Sequence, residues 1–282
     1  MLEELKELWR YRELLESMVR RDLKVRYKNS FIGFLWSLLN PALLVLVMTF
    51  AWREASNNTV ANVSAYFLAA YLPFMFFSMA VMDATGSVLG NLALVRKIYF
   101  PREILPLTAI ISNFIHFLLA LAVFFVYLLG VYILHPGVIP FQATTIYLPL
   151  LLVINLLLVT GLGLAFSAWN TFYEDVKYMV SLGTTMLLFL SPIVWFAEKM
   201  NHDEHKKYVL MQLLNPLAVL CTGYRRILLA PAHVTGDTKE QVFDPLPIQW
   251  KYIAYTGVLS LVIFIGGYKV FNARKWKFVE RP

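Results

Sequence analysis

Long runs without charge, separated by short clusters of Lys, Arg, Asp and Glu, set the pattern of this 282-residue chain. Phe31 to Trp52 is 22 residues without a charged side chain, Ala55 to Met82 is 28, Ile104 to Tyr173 is 70, Tyr178 to Ala197 is 20 and Tyr252 to Tyr268 is 17. A helix crossing the ~30 Å hydrocarbon layer takes about 20 apolar residues, so each shorter run predicts one span. The 70-residue run carries His135-Pro136-Gly137 and Pro140 near its middle, residues that end helices and make turns, and therefore predicts two spans joined by a short loop. The expected fold is all-α and integral to a membrane, with six transmembrane helices between residues 30 and 272 and a short tail over 273–282.

The ends of the chain read differently. Residues 1–28 hold fourteen charged side chains, with Leu5, Leu8, Leu15, Val19 and Leu23 on one helical face and Lys6, Arg10, Glu13, Lys24 and Lys28 on the other. This predicts an amphipathic interface helix over residues 1–29, lying on the cytoplasmic membrane surface. The segment 197–250 between spans five and six contains a 17-residue uncharged stretch, Tyr208 to Tyr224, interrupted by Gln212, Asn215 and Pro216 and followed at once by Arg225-Arg226. A pair of short re-entrant or interfacial helices suits it better than a seventh span, which would turn the basic tail outward.

Composition agrees with a membrane protein. Hydrophobic residues make up 59% of the chain and charged residues 15%, against about 25% charged in soluble domains. Lys and Arg number eight in the first 30 residues, three between Val95 and Glu103, and five from Lys269 onward. Short loops rich in these residues stay cytoplasmic, so both termini are expected inside a bacterial plasma (inner) membrane. The net charge of +7 then reads as topology and contact with anionic lipid, not nucleic-acid binding. The single cysteine, Cys221, excludes an intrachain disulfide.

No GxxxxGK[ST] phosphate loop and no Gly-Lys dipeptide occurs, so any ATP that drives the chain is bound by a partner. No catalytic grouping and no cofactor are expected here. His202-Asp203-Glu204-His205 is flanked by lysines and reads as a solvated loop tip rather than a metal site. One carboxylate, Asp83, falls about twelve residues, roughly 18 Å, from the expected cytoplasmic end of the second span. An ionised group there costs about 2.5–3.5 kcal/mol and faces protein or water. Matched depth suggests that Asp83 pairs with His116 of the third span, either as a packing contact or as a proton relay, with Asn113 one turn below. Pro41 and Pro192 are expected to kink spans one and five. The aromatic residues Trp36, Phe50, Trp52, Tyr178, Phe189, Trp195 and Phe196 fall on those two spans, either as interfacial or lipid-facing residues or as the lining of a path. Aromatic faces stack on the apolar faces of sugar rings.

The ordered set of motifs resembles a known family. Arg21-Asp22-Leu23-Lys24-Val25-Arg26-Tyr27 runs into Gly33-Phe34-Leu35-Trp36-Ser37-Leu38-Leu39-Asn40-Pro41. Arg96-Lys97-Ile98-Tyr99-Phe100-Pro101-Arg102-Glu103-Ile104-Leu105-Pro106, Tyr173-Glu174-Asp175-Val176-Lys177, Ser191-Pro192-Ile193-Val194-Trp195 and Leu214-Asn215-Pro216-Leu217 follow in order. Over its whole length the chain is similar to the permease subunits of type-2 ABC exporters of cell-surface polysaccharides, which carry O-antigen, capsule or teichoic acid. The resemblance implies a homodimer with two copies of an ABC ATPase subunit that holds ATP and Mg, and a lipid-linked polysaccharide as substrate. It implies that Arg96, Lys97, Ile98, Tyr99, Phe100, Pro101 and Arg102 form a coupling helix docked on the ATPase, and it puts Glu174 and Asp175 on the same side. Glu174 departs from the family, which usually carries a basic residue there. The external helices would close the outer mouth, and spans one and five would line a channel at the dimer axis. An exporter of a drug or lipid in the same superfamily is the first alternative; an ATP-independent channel or proton-coupled carrier is the second, disfavoured by so few intramembrane ionisable groups.

Overall fold

A computed structural model describes residues 2–27, 43, 45–50, 62–134, 142–231, 234–235 and 242–279. In chain order the helices are α1 (Leu2–Arg10), α2 (Arg12–Tyr27), α3 (Val63–Gly90), α4 (Leu92–Lys97), α5 (Ile104–Leu134), α6 (Leu148–Asn170), α7 (Asp175–Leu190), α8 (Ala197–Asp203), α9 (His205–Leu214), α10 (Pro216–Leu228) and α11 (Trp250–Arg274). Short 3₁₀ turns at Ala143–Tyr147 and Lys275–Val279 lead into α6 and continue α11. A two-residue antiparallel pair, β1 (Val234–Thr235) with β2 (Val242–Phe243), closes the loop before α11. Residues 45–50 are helical as well.

Among the described residues four helical stretches are long and apolar enough to cross a membrane: Val63–Gly90, Ile104–Leu134, Ala143–Asn170 and Trp250–Phe278. They coincide with the second, third, fourth and sixth expected spans. The first, with Trp36, Pro41 and Trp52, lies outside the described residues apart from its 45–50 turn.

Two boundaries depart from expectation. The second span was expected to run about twelve residues past Asp83, yet α3 stops at Gly90 and the chain restarts as α4. Asp83 does not end it because Arg26 and Asn113 meet its carboxylate, so a charge is no barrier to the helix. The fifth was expected to continue with a kink through Pro192; α7 instead stops at Leu190, and residues 191–195 form a turn. Proline lacks the N–H that would carry the ladder onward and pushes Ser191 out of the helical region, here to an extended φ of −99° and ψ of 146°.

α3 is the central element. It packs on α5, α6 and α10, and its buried face carries Phe67, Phe74, Phe76 and Phe77 as well as Ala69, Ala80 and Ala84. Its start is set by Asn62 in the left-handed region (φ 57°), a conformation that asparagine tolerates, whose side chain accepts from the Ala65 amide. Tyr127 of α5 donates to the same Asn62 oxygen at 2.9 Å. α6 and α11 form the closest helix pair: a Cβ on Gly161 would sit 2.6 Å from the Ile263 carbonyl, and one on Gly267 would overlap the Gly161 carbonyl. Small residues at such crossings let backbones approach, which is how helices associate where lipid removes the hydrophobic drive.

α10 lies inside this core, with Leu217, Val219, Leu220, Cys221 and Tyr224 all buried. Asn215 breaks α9 from α10, its side-chain oxygen accepting from the Leu217 and Ala218 amides while its Nδ2 donates to Ser191 Oγ at 3.0 Å. Pro216 then supplies a first helical residue that needs no N–H partner.

Candidate functional site

A second buried cluster gathers the pieces that face the expected cytoplasmic side. Met18 of α2, Val88 of α3, Val95 of α4, Phe100, Ile104 and Leu105 of α5, Leu164 and Ala168 of α6, Phe271 of α11 and Phe278 pack together. The sequence that follows α3 explains how. Asn91 donates through its amide to the Ser87 carbonyl, ending one helix, and the chain restarts as the six-residue α4. Arg96, Lys97, Ile98 and Tyr99 are exposed, Ile98 by 59% and Tyr99 by 66%, whereas Phe100 and Pro101 turn inward. A groove of about 210 Å³ runs along residues 95–102.

The seven residues expected to contact a partner therefore divide. Arg96, Lys97, Ile98 and Tyr99 form an outer surface. Phe100 is a root of the same loop, 4% exposed, and its removal would open a cavity rather than a contact. Arg102 is half-buried, with its guanidinium 5.5 Å from the Trp276 ring, and desolvation lowers its pKa. Glu103 is fully buried and accepts from Lys275 Nζ at 2.7 Å. The described part of the expected 273–282 tail is thus packed beneath the loop as the Lys275–Val279 turn. Tyr99 donates to Glu7 of α1 at 3.2 Å, and that carboxylate lifts the phenol pKa above its ordinary value.

α2 lies along the start of α5 and buries Met18 and Val19, the latter on the expected apolar face. At its end Arg26 donates to Asp83 Oδ2 at 3.0 Å and to Asn113 Oδ1 at 2.9 Å, and Asn113 donates to the same Asp83 oxygen at 2.8 Å. The expected partner was His116. Asn113, one turn lower, takes that place, because α3 ends at Gly90, seven residues past Asp83, and the carboxylate lies level with Arg26 at the end of α2 rather than deep in the span. His116 is buried one turn above Asn113 on α5.

Glu174 and Asp175 are exposed where α6 gives way to α7. Asn170 fixes that corner: its Nδ2 donates to the Thr85 carbonyl and its Oδ1 accepts from the Lys177 amide. Nothing in the sequence singled Asn170 out, since an isolated amide at a helix end has no motif.

The residues expected along a path also divide. Tyr178 and Phe189 are exposed, 74% and 65%, and share one face of α7 with Leu182 and Met186. Phe50 is exposed too. Trp195 donates to the Phe189 carbonyl at 3.1 Å. Phe196, by contrast, is core: its ring lies 5.0 Å from Tyr66 and 6.2 Å from Phe67. It follows the turn at Pro192 and so does not continue the face of α7. Trp36 and Trp52 fall outside the described residues.

On the opposite side a buried polar cluster joins α3, α8 and α10. Glu198 accepts from Tyr66 Oη at 2.6 Å and from Arg226, while Arg225 donates to the carbonyls of Tyr66 and Ile193 and stands 3.9 Å from the Tyr66 ring. Sequence reading saw Arg225-Arg226 only as a charge that ends an apolar stretch. Glu198, the partner of Arg226, sits 28 positions earlier, and no local spacing links them. Nearby His205 pairs with Asn201 at 3.0 Å, and among the described residues no three metal-ligating side chains cluster.

The sequence is similar to those of known transport proteins. The chain is 29% identical over 280 residues to the O-antigen export system permease protein RfbA of Myxococcus xanthus, covering 99% of both chains. It is 25% identical over 268 residues to RfbA of Klebsiella pneumoniae, covering 95% of this chain and 94% of that one. The polysialic acid transport protein KpsM of Escherichia coli matches at 22% over 266 residues, 93% of each. The family model described as ABC-2 type transporter matches residues 13–229, from α2 through α10, and the chain belongs to that family of transporter membrane proteins.

Proposed function

We propose that this chain is the membrane-spanning subunit of an ATP-driven exporter of a lipid-linked polysaccharide of the O-antigen or capsule type. The observation that carries the reading is full-length similarity to proteins named for O-antigen export and polysialic acid transport. Two copies of the chain work with two copies of an ABC ATPase that binds ATP and Mg. Both termini are cytoplasmic, in a bacterial inner membrane.

The site's chemistry supports a division of labour. The ATPase docks on Arg96, Lys97, Ile98 and Tyr99, with Glu174 and Asp175 at the edge of the same face. Two exposed apolar anchors flanked by cations suit a small interface whose energy concentrates in few residues. Movement imposed there passes through Phe100 and the Glu103–Lys275 pair into α5, α6 and α11 together, because these share one buried cluster. The exposed face of α7, with Tyr178 and Phe189, lines the channel at the dimer axis together with Phe50, and offers rings on which sugar units stack. α9 and α10 close the outer mouth.

Deletion of the gene tests the reading. Surface polysaccharide should disappear while lipid-linked polymer accumulates inside the cell, and the wild-type chain should restore export. Unchanged surface polysaccharide in the deletion strain rejects it.

A further inference from the structure

α7 buries too little of its own surface to be placed by packing alone. Val180 is its one buried residue, a few others are partly covered, and Tyr178, Met179, Leu182, Met186 and Phe189 are exposed. Its position is therefore set at its ends. The end at Asp175 is the corner that Asn170 holds against α3. The end at Leu190 starts with a deficit: the last carbonyls of a helix have no ladder partner, Pro192 brings no N–H, and no glycine follows to fold the chain back over them.

Trp195 takes the Phe189 carbonyl, and the rest of the turn is held from α10. Asn215, which heads α10 and is 8% exposed, divides its amide between two elements. Its Oδ1 caps α10, which leaves Nδ2 to face Ser191 Oγ at 3.0 Å and the Leu190 carbonyl at 3.4 Å. Arg225, near the other end of α10 and 3% exposed, donates at 2.9 Å through Nη2 to the Ile193 carbonyl and through Nε to the Tyr66 carbonyl of α3. Ser191 and Ile193 are fully buried, so no water stands in when a donor withdraws, and a stranded buried group costs about 1–3 kcal/mol. The end of α7 follows α10 rather than parting from it.

We propose that Asn215 and Arg225 are positioning residues for transport: together they clamp the Leu190 end of α7 to α10, so that the seat of α10 sets how far this end stands from the body of the protein, and with it the width of the channel mouth. The last step rests on the reading of α7 as the channel wall; the clamp itself does not.

The distance between spin labels on Ile133→Cys, at the same end of α5, and Met186→Cys tests it in the full-length chain carrying Cys221→Ala, co-expressed with an excess of unlabelled chain so that each measured pair lies within one chain. A second pair, Ile133→Cys with Met179→Cys, reports the other end of α7. Asn215→Ser keeps an equally good cap for α10 but has no Nδ2. It should shift or broaden the 133–186 distance by about 2 Å, the scale of helix movements in switching proteins, while the 133–179 distance stays in place. Arg225→Lys, whose single ammonium replaces a fork that spans two carbonyls, should act in the same direction. In the otherwise native chain Asn215→Ser should leave Cys221 labelling by a maleimide at the wild-type rate, because α10 stays seated, and should lower surface polysaccharide about tenfold with the amount of chain in the membrane unchanged. A 133–186 distance unchanged in both variants, or an equal shift in both pairs, overturns the clamp. A shifted 133–186 distance with normal export upholds the clamp and rejects α7 as the channel wall.

Discussion

Lys275 Nζ lies 2.7 Å from Glu103 Oε1, with 9% and 3% of the two side chains exposed, so a residue of the turn that follows α11 is bonded to the base of the 95–102 loop. Desolvating both charges offsets much of their attraction, but removing one strands the other in a dry site, at a cost of about 3–5 kcal/mol. Glu103→Ala should therefore lower the thermal midpoint of the detergent-solubilised protein strongly, and Lys275→Met likewise. The double variant Glu103→Leu with Lys275→Met should recover most of the loss. Additive losses in the double variant would show that the two side chains do not act as a pair.

The 95–102 loop, proposed to dock the ATPase, should separate two phenotypes. Ile98→Glu with Arg96→Glu changes only exposed positions and is expected to leave the unfolding midpoint within about 0.5 kcal/mol of wild type. It should abolish co-purification with the ATPase subunit. Phe100→Ala removes a buried ring from the cytoplasmic cluster and should cost about 3–5 kcal/mol of stability. Loss of the ATPase from Phe100→Ala alone, with Ile98→Glu binding normally, would reverse the assignment of surface and root.

Which parts of this were legible in the sequence follows from the range of the forces involved. The long apolar runs reveal spans because every residue in lipid must satisfy its own backbone, a local demand that writes itself into composition. Arg96 to Tyr99 were legible as an exposed loop for the same reason. The burial of Phe100 and Phe196 was not legible, because aromatic side chains are as common in cores as on surfaces, and only the turn of the chain after Tyr99 and after Pro192 decides which. Arg26–Asp83, Glu103–Lys275 and Glu198–Arg226 join residues 57, 172 and 28 positions apart. Such pairs leave no periodic trace, and each is set by how the helices pack.

The α6–α11 crossing predicts steep size dependence. Gly161→Val and Gly267→Val should each be severely destabilising, since any Cβ meets backbone that cannot move aside. Gly86→Ala and Gly183→Ala, where nothing stands within 4 Å, are the controls and should fall near wild type or above it, as alanine is the better helix former. Thermal unfolding of the four variants measures the contrast; similar midpoints for all four would mean that the helices do not cross at these glycines.

The outer cluster can be read through the chain's own cysteine. Cys221 is fully buried on α10, with its thiol 3.4 Å from the Ala70 carbonyl of α3, and it is the single cysteine of the sequence. Its reaction with a maleimide therefore reports whether α10 is seated. Glu198, 1% exposed in its side chain, anchors that seat by accepting from both Tyr66 and Arg226. Tyr66→Phe deletes one charge-assisted bond, about 1.5–3 kcal/mol, and should speed labelling at least tenfold if α10 moves without global unfolding. Glu198→Gln also leaves Arg226 without its counter-charge and should speed labelling further. Both rates should exceed what the fall in thermal midpoint alone accounts for, because the loosened unit is α10 and not the whole bundle. Labelling that tracks the midpoint one for one would mean that the cluster stabilises the bundle as a whole and does not hold α10 in particular.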